Sequence, residues 1–568
     1  MSLPKVNAVV VGSGAGGAVA AKCLSAAGLR VVLLERGPQV NAGQATHDIL
    51  HSQYDTSGEL GCGPALAANP RTYRLTPEQR ARRIYPNQGG YGRTAACTGG
   101  GTPPYGCMAW RFAEKDFRLK SLYGVPAGTT VEDWPISYQD LEPYYTQAEY
   151  EIGISGRAGA NPFEAPRSQP YPLPPLPYDR GGRVFARGAR ALGLHPFPLP
   201  LAILSRPYDG RPACIHCNAC ERFLCEVNAK SAMHATLIPK ALATGLCELR
   251  TGCMARELRV DARGRARAVA YHGPDGQLQE QPADLVIVAC SATETCRLLL
   301  NSKSKLFPEG LANRQGQVGR HIMDHTGGAG LPGFFAQPIY QPSGPGFTAA
   351  VADFVHARGA PLNGSMIATM AELRQPLAFA ENCGGRFGTH PWGLRAKQFV
   401  RHYFRRTVGL YAPGIGLPTE NNRVDLDPEV RDAWGIPVLR VTHRAHPLEV
   451  RSSYFFRNRM IEILRAAGAI EALLPRPASE AEIERAASHI RWGGLGEHQV
   501  GGCRMGRDPK TSVLNANCQA HEVENLFVAD GSSFPSIGGF NPSLTIQANA
   551  YRVSAYIARE WRGGAFRT

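Results

Sequence analysis

Four cysteines lie close together in the middle of the chain, at a spacing that suits a metal centre. Cys214, Cys217, Cys220 and Cys225 read C-x2-C-x2-C-x4-C, whereas most other cysteines are scattered singly among apolar residues. Thiolates on one loop can converge on a single centre, and four thiolates serve zinc as well as an iron–sulfur cluster. A disulfide framework is typical of small secreted domains, and this chain has 568 residues. The spacing therefore predicts a metal site and leaves zinc and iron–sulfur as alternatives.

A second chemical signal stands near the N-terminus, where Gly12, Gly14 and Gly17 form the pattern G-x-G-x-x-G. These glycines permit a tight turn after a strand, close approach of the backbone to a pyrophosphate, and close packing of a helix on a sheet. Glu35 ends the next apolar run, where its carboxylate can accept hydrogen bonds from ribose hydroxyls and would repel a 2′-phosphate. The pattern predicts dinucleotide binding and does not by itself distinguish FAD from NAD.

The segments around these residues must supply a buried sheet and its helices. Residues 8–11 and 31–34 are apolar runs typical of strands buried on both faces, and residues 15–27 predict an Ala-rich helix between them. Residues 284–290 predict a further buried strand, followed by a helix over 291–301. The sheet that begins near the N-terminus is therefore completed far downstream in the chain.

Beyond this unit the pattern is mixed. Ser137 predicts the cap of a helix within residues 133–150, and residues 246–271 alternate like a hairpin with its turn at 261–264. Residues 327–441 are rich in strand formers with many Gly and Pro breaks. Further helices are predicted over 231–243, 447–467 and 480–490, and one is expected to open within 109–117.

The charge balance is strongly basic, with a net charge of +15. The basic residues are scattered, apart from short clusters such as residues 401–406, so an Arg-rich solvated surface is favoured over attraction to an anionic membrane face or an acidic partner. No nucleic-acid-binding motif accompanies the charge, which argues against a nucleic-acid partner. No run of about 18 apolar residues is present, so we expect no transmembrane segment.

Longer motifs extend over nearly the whole chain, namely GSGAGG with Glu35, CTGGG, DWPISYQDLEPYY, ATETCRLLLNS, GQVGRHIMDH, ENNRVDLDPEVRDAWGIPVLR and the run over residues 493–550. Together they resemble the glucose–methanol–choline (GMC) oxidoreductases. The resemblance implies FAD rather than NAD. It also implies an α/β fold, α+β overall, in which a Rossmann-like FAD-binding domain with a doubly wound sheet joins an antiparallel-sheet substrate domain.

The resemblance also implies a division of the chain. The FAD-binding domain is expected over residues 1–326, with a cofactor-covering excursion at 47–130 and the cysteine segment inserted at 205–232. The substrate-binding domain is expected over 327–490, and residues 491–568 return to the FAD domain with the catalytic motif.

Two residues of the C-terminal motif are implied to be catalytic. His498 matches the family's base, which takes the hydroxyl proton while flavin N5 takes the hydride, and a near-neutral imidazole suits this step. Asn541 matches the position that orients the substrate oxygen. Asn541 and Pro542 also read as the N-cap and first residue of a helix over 543–557, whose N-terminus is expected to face the flavin.

Other cofactor contacts are implied by the same resemblance. Gly99 and Gly100 match the turn that runs along the isoalloxazine, and Asp530 with Gly531 matches a second flavin-contact strand. Ala255 falls where relatives often place a Val whose backbone meets the adenine, and an ordinary strand residue is the alternative there. Close relatives often carry an aromatic residue and His where this chain has Pro and Tyr at 103–105, so non-covalent FAD is expected.

Within the family, the motifs AWRF, SRPYDGRPAC and the cysteines resemble the large subunits of bacterial FAD-dependent glucose, gluconate, fructose and glucoside dehydrogenases. This branch implies oxidation of a sugar, glycoside or polyol hydroxyl, and a [3Fe–4S] or [4Fe–4S] cluster on the cysteines. An oxidase that uses O2 and holds zinc is one alternative, and a flavoprotein scaffold without substrate chemistry is another.

The branch also implies protein partners, namely a small leader-bearing subunit and a cytochrome c that accepts electrons. The first predicted strand begins within a few residues of the N-terminus, which leaves no room for a leader on this chain. We therefore expect export to the periplasm with a partner, possible membrane association through that partner, and cytoplasmic location as the alternative.

Overall fold

The apolar run near the N-terminus forms the first strand of a parallel sheet, as its sequence predicts. The computed structural model describes residues 3–48, 69–86, 88, 90–92, 95–339, 343–370, 376–381 and 392–566. Residues 49–68 of the predicted cofactor-covering excursion therefore lie outside the described residues. The predicted domain boundaries stay a prediction.

The strands are numbered in chain order over the described residues. They are β1 (Val6–Val11), β2 (Val31–Leu34), β3 (Arg71–Arg74), β4 (Arg82–Ile84), β5 (Phe197–Pro198), β6 (Cys247–Arg250), β7 (Met254–Val260), β8 (Ala266–His272), β9 (Leu278–Val288), β10 (Arg320–Met323), β11 (Ala329–Phe334), β12 (Ala349–Val351), β13 (Ile367–Met370), β14 (Thr407–Ala412), β15 (Arg423–Arg431), β16 (Pro437–Thr442), β17 (Val500–Gly502), β18 (Gln519–Ala520) and β19 (Val523–Val528).

The α-helices are numbered in the same way. They are α1 (Ala15–Ala26), α2 (Leu119–Tyr123), α3 (Tyr138–Ile152), α4 (Arg180–Ala191), α5 (Leu237–Leu242), α6 (Ala292–Asn301), α7 (Pro376–Glu381), α8 (Leu394–Tyr403), α9 (Pro447–Ala466), α10 (Glu480–Ser488) and α11 (Ser543–Arg562). Across the described ranges, no helix combines the length and apolar composition that crossing a bilayer requires.

The central sheet has a parallel core in the order β19-β9-β1-β2-β6. Val9 pairs with Val32 on one side and with Val286 on the other, and all three are buried. Strands buried on both faces explain why these segments are continuous apolar runs. The helix α1 packs against α11 and α5, so segments from both ends of the chain cover one part of the sheet. The predicted α/β fold is confirmed.

Two further sheets lie outside this core. A six-stranded sheet has the order β17-β10-β15-β16-β3-β4, and a five-stranded sheet has the order β11-β14-β13-β12-β5. The five-stranded sheet is antiparallel throughout, and α4 and α9 pack on it. An antiparallel sheet in this part of the chain agrees with the predicted architecture.

Several local predictions are confirmed and others are wrong. Ser137 caps α3 by accepting from the Asp140 amide, and β7 pairs with β8 as the predicted hairpin. In contrast, β6 leaves the hairpin and pairs in parallel with β2, because the chain crosses over after α5. The helix expected to open within residues 109–117 begins at Glu114, as a 3-10 turn over Glu114–Arg118 that leads directly into α2, and residues 109–113 are not helical.

Candidate active site

A cavity of about 520 Å³ opens at the carboxyl ends of β1, β2, β9 and β19. This edge is where parallel α/β sheets bind ligands, because the chain turns there and leaves backbone N–H groups free. Ten predicted residues line the cavity: Gly12, Gly14, Glu35, Gly100, Ala255, His498, Asp530, Gly531, Asn541 and Pro542. Gly17 and Gly99 do not line the cavity, and the four predicted metal ligands line a separate, smaller cavity.

The glycines at one end of the cavity are required by close backbone contacts. Gly12 has a φ of 99°, and a Cβ there would lie 2.3 Å from the Ala289 carbonyl oxygen. A Cβ on Gly17 would lie 1.8 Å from the Gly12 oxygen, so α1 rests directly on the turn. Gly14 caps α1 without a side-chain hydrogen bond, and only Gly100 approaches its Cβ position. The helix N-terminus therefore faces open space, which fits a pyrophosphate.

Glu35 faces the same end of the cavity. One carboxylate oxygen accepts from the Ser13 hydroxyl at 2.6 Å, and the other accepts from the Gly37 amide at 2.9 Å. Burial raises the pKa of Glu35, and these hydrogen bonds act in the opposite direction. The first oxygen also accepts from the Ser13 amide at 3.2 Å, so the oxygen bonded to Gly37 is the one that keeps a lone pair for a ribose hydroxyl. The donor set at this end fits the adenosine half of FAD.

The turn over residues 97–101 lies against the start of α1. The Gly99 amide donates to the Ser13 hydroxyl at 3.0 Å, and a Cβ on Gly100 would lie 2.8 Å from Gly14 Cα. On the other side of the cavity, the carboxylate of Asp530 accepts from Ser532, Thr295 and the Ser291 amide. Asp530 therefore holds the turn that follows β19, and Gly531 presents its backbone to the cavity.

His498 and His325 form a directed hydrogen-bond chain at the other end of the cavity. His325 Nε2 lies 2.8 Å from the Gly538 carbonyl oxygen, and His325 Nδ1 lies 2.8 Å from His498 Nδ1. Because a carbonyl only accepts, His325 Nε2 must carry its proton, and neutral His325 Nδ1 must accept. His498 Nδ1 therefore donates, which leaves the lone pair on its Nε2, the atom that accepts from the Asn541 amide.

Asn541 completes this arrangement, and its predicted role as a helix N-cap is wrong. Its amide nitrogen lies 2.9 Å from His498 Nε2, and its amide oxygen accepts from the Tyr411 hydroxyl at 3.1 Å. Pro542 occupies the N-cap of α11 instead, without a side-chain cap. The shift of one residue occurs because the Asn541 side chain is held by His498 and Tyr411. The N-terminus of α11 lines the cavity, as predicted.

Both imidazoles are neutral at ordinary pH. Burial lowers the pKa of His498, and burial together with the nearby His498 lowers the pKa of His325 to about 3. Asp324 precedes His325 and accepts from the amides of His325 and Gly496. Burial raises the pKa of Asp324 to about 7. A neutral imidazole whose Nε2 carries no proton is the state that a general base requires.

The cysteine segment forms a loop around a small cavity of its own. All four cysteines line this cavity, together with Ile203, Ala229 and Lys230. The His216 amide donates to the Cys214 sulfur at 3.3 Å, and an Ala219 amide hydrogen bond lowers the pKa of Cys217 against the effect of burial. His216, Asn218 and Arg222 have φ values of 58°, 67° and 68°, so the backbone curls around the sulfurs. Sulfur ligands with backbone N–H donors fit a thiolate-bound metal centre.

The spacing of the thiols bears on the kind of centre. Within the described ranges, the one set of three ligand atoms that lie within 4.8 Å of one another is His47, Cys217 and Glu226. No three of the four loop thiols meet this limit. A tetrahedral zinc with bonds of about 2.3 Å would hold its sulfurs roughly 3.8 Å apart. In every set of three thiols at least one pair is thus wider apart than a bound zinc ion requires, so the structure does not bring the predicted ligands together around one metal ion.

The cysteine loop is hydrogen-bonded to residues 103 and 104, which follow the glycine turn at residues 97–101. Lys230 is 2% exposed, and its ammonium donates to the carbonyl oxygens of Pro103, Cys220 and Phe223. The Arg222 amide donates to the Pro104 oxygen at 2.7 Å. Glu221 and Arg222 of the same loop line the large cavity. The cysteines therefore lie beside the end of the cavity at which His498 stands.

Sequence reasoning missed three residues of this site. His325, Tyr411 and Lys230 each act through contacts with residues more than 100 positions away or through backbone oxygens. His325 lies in the GQVGRHIMDH motif, which was the one available signal for it. Tyr411 and Lys230 stand in no motif that suggested a role.

Comparison with protein families agrees with this geometry. Two models described as GMC oxidoreductase match residues 131–327 and 418–550. A model described as an NAD(P)-binding Rossmann-like domain matches residues 10–70. The GMC and Rossmann matches support FAD binding in the large cavity.

Similar proteins align with the chain over its whole length. The fructose dehydrogenase large subunit of Gluconobacter japonicus is 30% identical, with 98% of each chain covered. The 2-methyl-1,2-propanediol dehydrogenase of Mycolicibacterium austroafricanum is 32% identical, with 99% of this chain and 96% of that protein covered. Among solved structures, pyridoxine 4-oxidase from Mesorbium loti has a TM-score of 0.62 at 19% identity, with 98% of this chain and 99% of that one covered. This structural likeness concerns the fold alone.

Proposed function

Because the chain belongs to the GMC oxidoreductase family, we propose that it is a FAD-dependent dehydrogenase that oxidises a hydroxyl of a sugar, glycoside or polyol. The observation that carries the proposal is the unprotonated Nε2 of His498 at the cavity, 2.9 Å from the Asn541 amide nitrogen, a hydrogen bond whose place a substrate hydroxyl would take between the two side chains. The substrate class is supported by relatives whose names state fructose and 2-methyl-1,2-propanediol as substrates.

The residues of this chain divide the reaction among them. A substrate hydroxyl donates to His498 Nε2 while its oxygen accepts from the Asn541 amide, which places the carbinol carbon in the cavity. His498 Nε2 then takes the hydroxyl proton, and its Nδ1–H stays bonded to His325. When bound, FAD supplies the hydride acceptor, and the glycine turns, Glu35 and the α11 N-terminus would hold it without a covalent link.

The test is a His498→Ala variant, compared with the unchanged protein in a dye-reduction screen of sugars, glycosides and alcohols. Loss of the base is expected to lower kcat by about 10²- to 10⁴-fold. The flavin absorbance should be unchanged, because His498 supplies no phosphate or ribose contact. Full activity in the variant would exclude His498 as the base and would favour a scaffold without substrate chemistry.

We further propose that Cys214, Cys217, Cys220 and Cys225 hold an iron–sulfur cluster, [3Fe–4S] or [4Fe–4S]. The N–H donor to sulfur and the attachment of the loop to the turn at Pro103 support a thiolate-bound centre, and a redox cluster, unlike zinc, could take electrons from a reduced flavin. When bound, such a cluster supplies one-electron transfer to an external acceptor, which we propose is a cytochrome or quinone rather than NAD.

Elemental analysis of the purified protein tests the cluster. Iron and acid-labile sulfide are expected, and Cys220→Ser should lower both while leaving the flavin in place. Zinc without iron, together with oxygen consumption during turnover, would support the alternative of an alcohol oxidase.

We also propose that the protein acts in the periplasm with a small leader-bearing subunit and a cytochrome c. The likeness to a protein named as a large subunit supports this. Co-purification of such subunits from the source cell would test the assembly, and isolation of the chain alone from the cytoplasm would contradict it.

A further inference from the structure

Helix α8 is attached to the protein through one aromatic face. Phe399 and Tyr403 pack against buried Phe334, with ring centres 5.1 Å and 5.3 Å apart. Phe404, directly after the helix, packs against Phe379 of α7 at 5.5 Å. These contacts fix which side of α8 faces outward. No residue of α8 is fully buried, so the helix lies on the surface.

The outward side begins with two exposed apolar residues. Trp392 is 84% exposed and Leu394 is 71% exposed, the two highest values among the large hydrophobic residues that the structure describes. They flank Gly393, which has a φ of 88° and caps the helix, so both stand at the same end of α8. Leaving two such side chains in water is unfavourable, and adjacent exposed apolar groups mark a contact surface.

The rest of the outward side is cationic, and the described part of the chain offers it no acidic partner. Arg395, Lys397, Arg401 and Arg405 are exposed, and none forms an ion pair with any residue that the structure describes. The sequence contains no Asp or Glu between residues 382 and 419. Some exposed arginines elsewhere are paired, as Arg465 is with Glu471 and Arg476 with Glu482, whereas the α8 cations are four unpaired charges on one helix. Among the described residues, the charge of these four side chains therefore has no ion-pair partner.

We propose that the α8 face, defined as Trp392, Leu394, Arg395, Lys397, Arg401 and Arg405, docks on the surface of an anionic lipid bilayer. Four unpaired cations suit phosphate headgroups, and each adds to the attraction at such a surface. Tryptophan beside leucine at one end of a basic helix suits the headgroup boundary, where an amphipathic ring is favoured. Protein interfaces also use Trp and Arg, so binding to an acidic protein is the outcome that the test below must separate from binding to lipid.

The α8 face is connected to the catalytic cavity by one side chain. Met370 at the end of β13 lines the cavity and packs against the aromatic cluster of Phe334 and Phe379 that carries α8. Docking would therefore place this wall of the cavity next to the bilayer. The proposal does not depend on which substrate the enzyme oxidises.

The test is co-sedimentation of the purified, flavin-containing protein with vesicles of phosphatidylcholine, with or without phosphatidylglycerol. Binding is expected only when phosphatidylglycerol is present, and it should weaken as salt is added. Neutralisation of the four cations to Gln should lower the apparent affinity about tenfold or more. Substitution of four exposed cations elsewhere, Arg118, Arg263, Lys303 and Arg507, changes the net charge equally and should leave binding within about twofold.

Insertion of the apolar end is tested by quenching with brominated lipids. Emission from Trp392 should be quenched on phosphatidylglycerol vesicles, and Trp392→Phe should remove that quenching. Dye-reduction activity of every variant in solution should equal that of the unchanged protein, which shows that each one folds. Equal loss of binding in the two four-residue variants, absence of vesicle binding at low salt, or binding only to an acidic protein would overturn the proposal.

Discussion

The proposed base, His498, is held in one tautomer by a neutral hydrogen-bond partner. His498 donates to the imidazole of His325 and not to a carboxylate, so the imidazolium formed during the reaction has no adjacent negative charge at that position. Burial lowers the pKa of His498, which keeps its Nε2 unprotonated before the substrate arrives. The same weakness of the conjugate acid favours rapid return of the proton to solvent.

Substitution of His325 tests this arrangement. His325→Ala removes the acceptor for His498 Nδ1, so both tautomers become accessible and kcat/KM is expected to fall about ten- to a hundredfold. His325→Gln can accept at one end and donate to Gly538 at the other, so it should recover most of the activity. The acid limb of the pH profile should move in the Ala variant and return in the Gln variant. Unchanged kcat/KM in His325→Ala would contradict the tautomer argument.

Tyr411 acts on the second catalytic residue. Its hydroxyl donates to the Asn541 amide oxygen at 3.1 Å and so fixes which end of the amide faces His498. Tyr411→Phe removes one hydrogen bond, and kcat/KM is expected to fall about three- to tenfold in steady-state assays. Tyr150→Phe is a matched control on an exposed tyrosine and should have no effect. An equal loss in both variants would contradict a role for Tyr411.

For single residues, the sequence pattern predicted those whose roles depend on the geometry of one short segment. Gly12, Gly14 and Glu35 follow from a turn, a helix N-terminus and a strand end within one stretch of sequence. His325 could not be predicted in this way, because its contact with His498 spans 173 positions. The N-cap assignment of Asn541 was wrong because capping propensity is a local preference, and two distant side chains hold this residue instead.

Among the elements, the cysteine loop shows how an irregular segment is held in place. Its cysteines belong to no helix or strand, and a buried ammonium replaces the missing ladder of hydrogen bonds. Lys230 joins oxygens of the loop to the oxygen of Pro103, in the turn beside the cavity. The Lys230 ammonium therefore joins the loop and the turn through hydrogen bonds.

Replacement of this ammonium should loosen both segments. Lys230→Met leaves three buried carbonyl oxygens without a donor, at a cost of about 1–3 kcal/mol for each. The midpoint of thermal unfolding is expected to fall, and iron and flavin content should both decrease. Lys303→Met, at an exposed lysine, should match the unchanged protein in all three measurements. A Lys230→Met protein with full iron content would contradict the attachment.

Helices and strands were predicted correctly where the apolar residues follow one clear pattern. The parallel strands and α9 follow from apolar runs and helical periodicity. The separation of β6 from the hairpin was not predictable, because its partner β2 lies more than 200 residues earlier. A helix was expected to open within residues 109–117, yet Ala109, Trp110 and Phe112 are buried in a non-helical segment, and the helical turns begin only at Glu114.

For the molecule as a whole, two sets of buried groups make stability depend on pH in opposite directions. Burial lowers the pKa of His234 and His443 to about 4 and of His321 to about 3. Burial raises the pKa of Asp324 to about 7 and of Glu449 to about 8. The histidines therefore bind fewer protons in the folded state, and the two carboxyls bind more.

The midpoint of thermal unfolding is expected to be highest near pH 6.5. Below that value the unfolded histidines take up protons that the folded ones refuse, so stability falls toward pH 4. Above it the two carboxyls lose protons more readily when unfolded, which costs about 2 kcal/mol by pH 8. Scanning calorimetry across this range measures both limbs, and a midpoint that rises steadily to pH 8 would contradict the assignment.

The alkaline limb can be traced to one residue. Glu449 accepts from the amides of Leu417 and His446, and Glu449→Gln keeps an acceptor while removing the titrating proton. The variant is expected to show a smaller fall in the midpoint between pH 6.5 and pH 8 than the unchanged protein. Glu309→Gln, at an exposed carboxyl, should leave the slope as it was.

The close packing of α1 against α11 has a consequence for how the protein is made. The phosphate turn at residues 12–17 is translated early, whereas Asp530, Asn541 and α11 leave the ribosome more than 500 residues later. During elongation the nascent chain contains the phosphate turn and the early apolar strands, but it lacks the C-terminal residues that complete the nucleotide-binding cavity. We therefore expect FAD to bind after the chain has been synthesised. We also expect chaperones that protect the early strands to affect the yield of active flavoprotein.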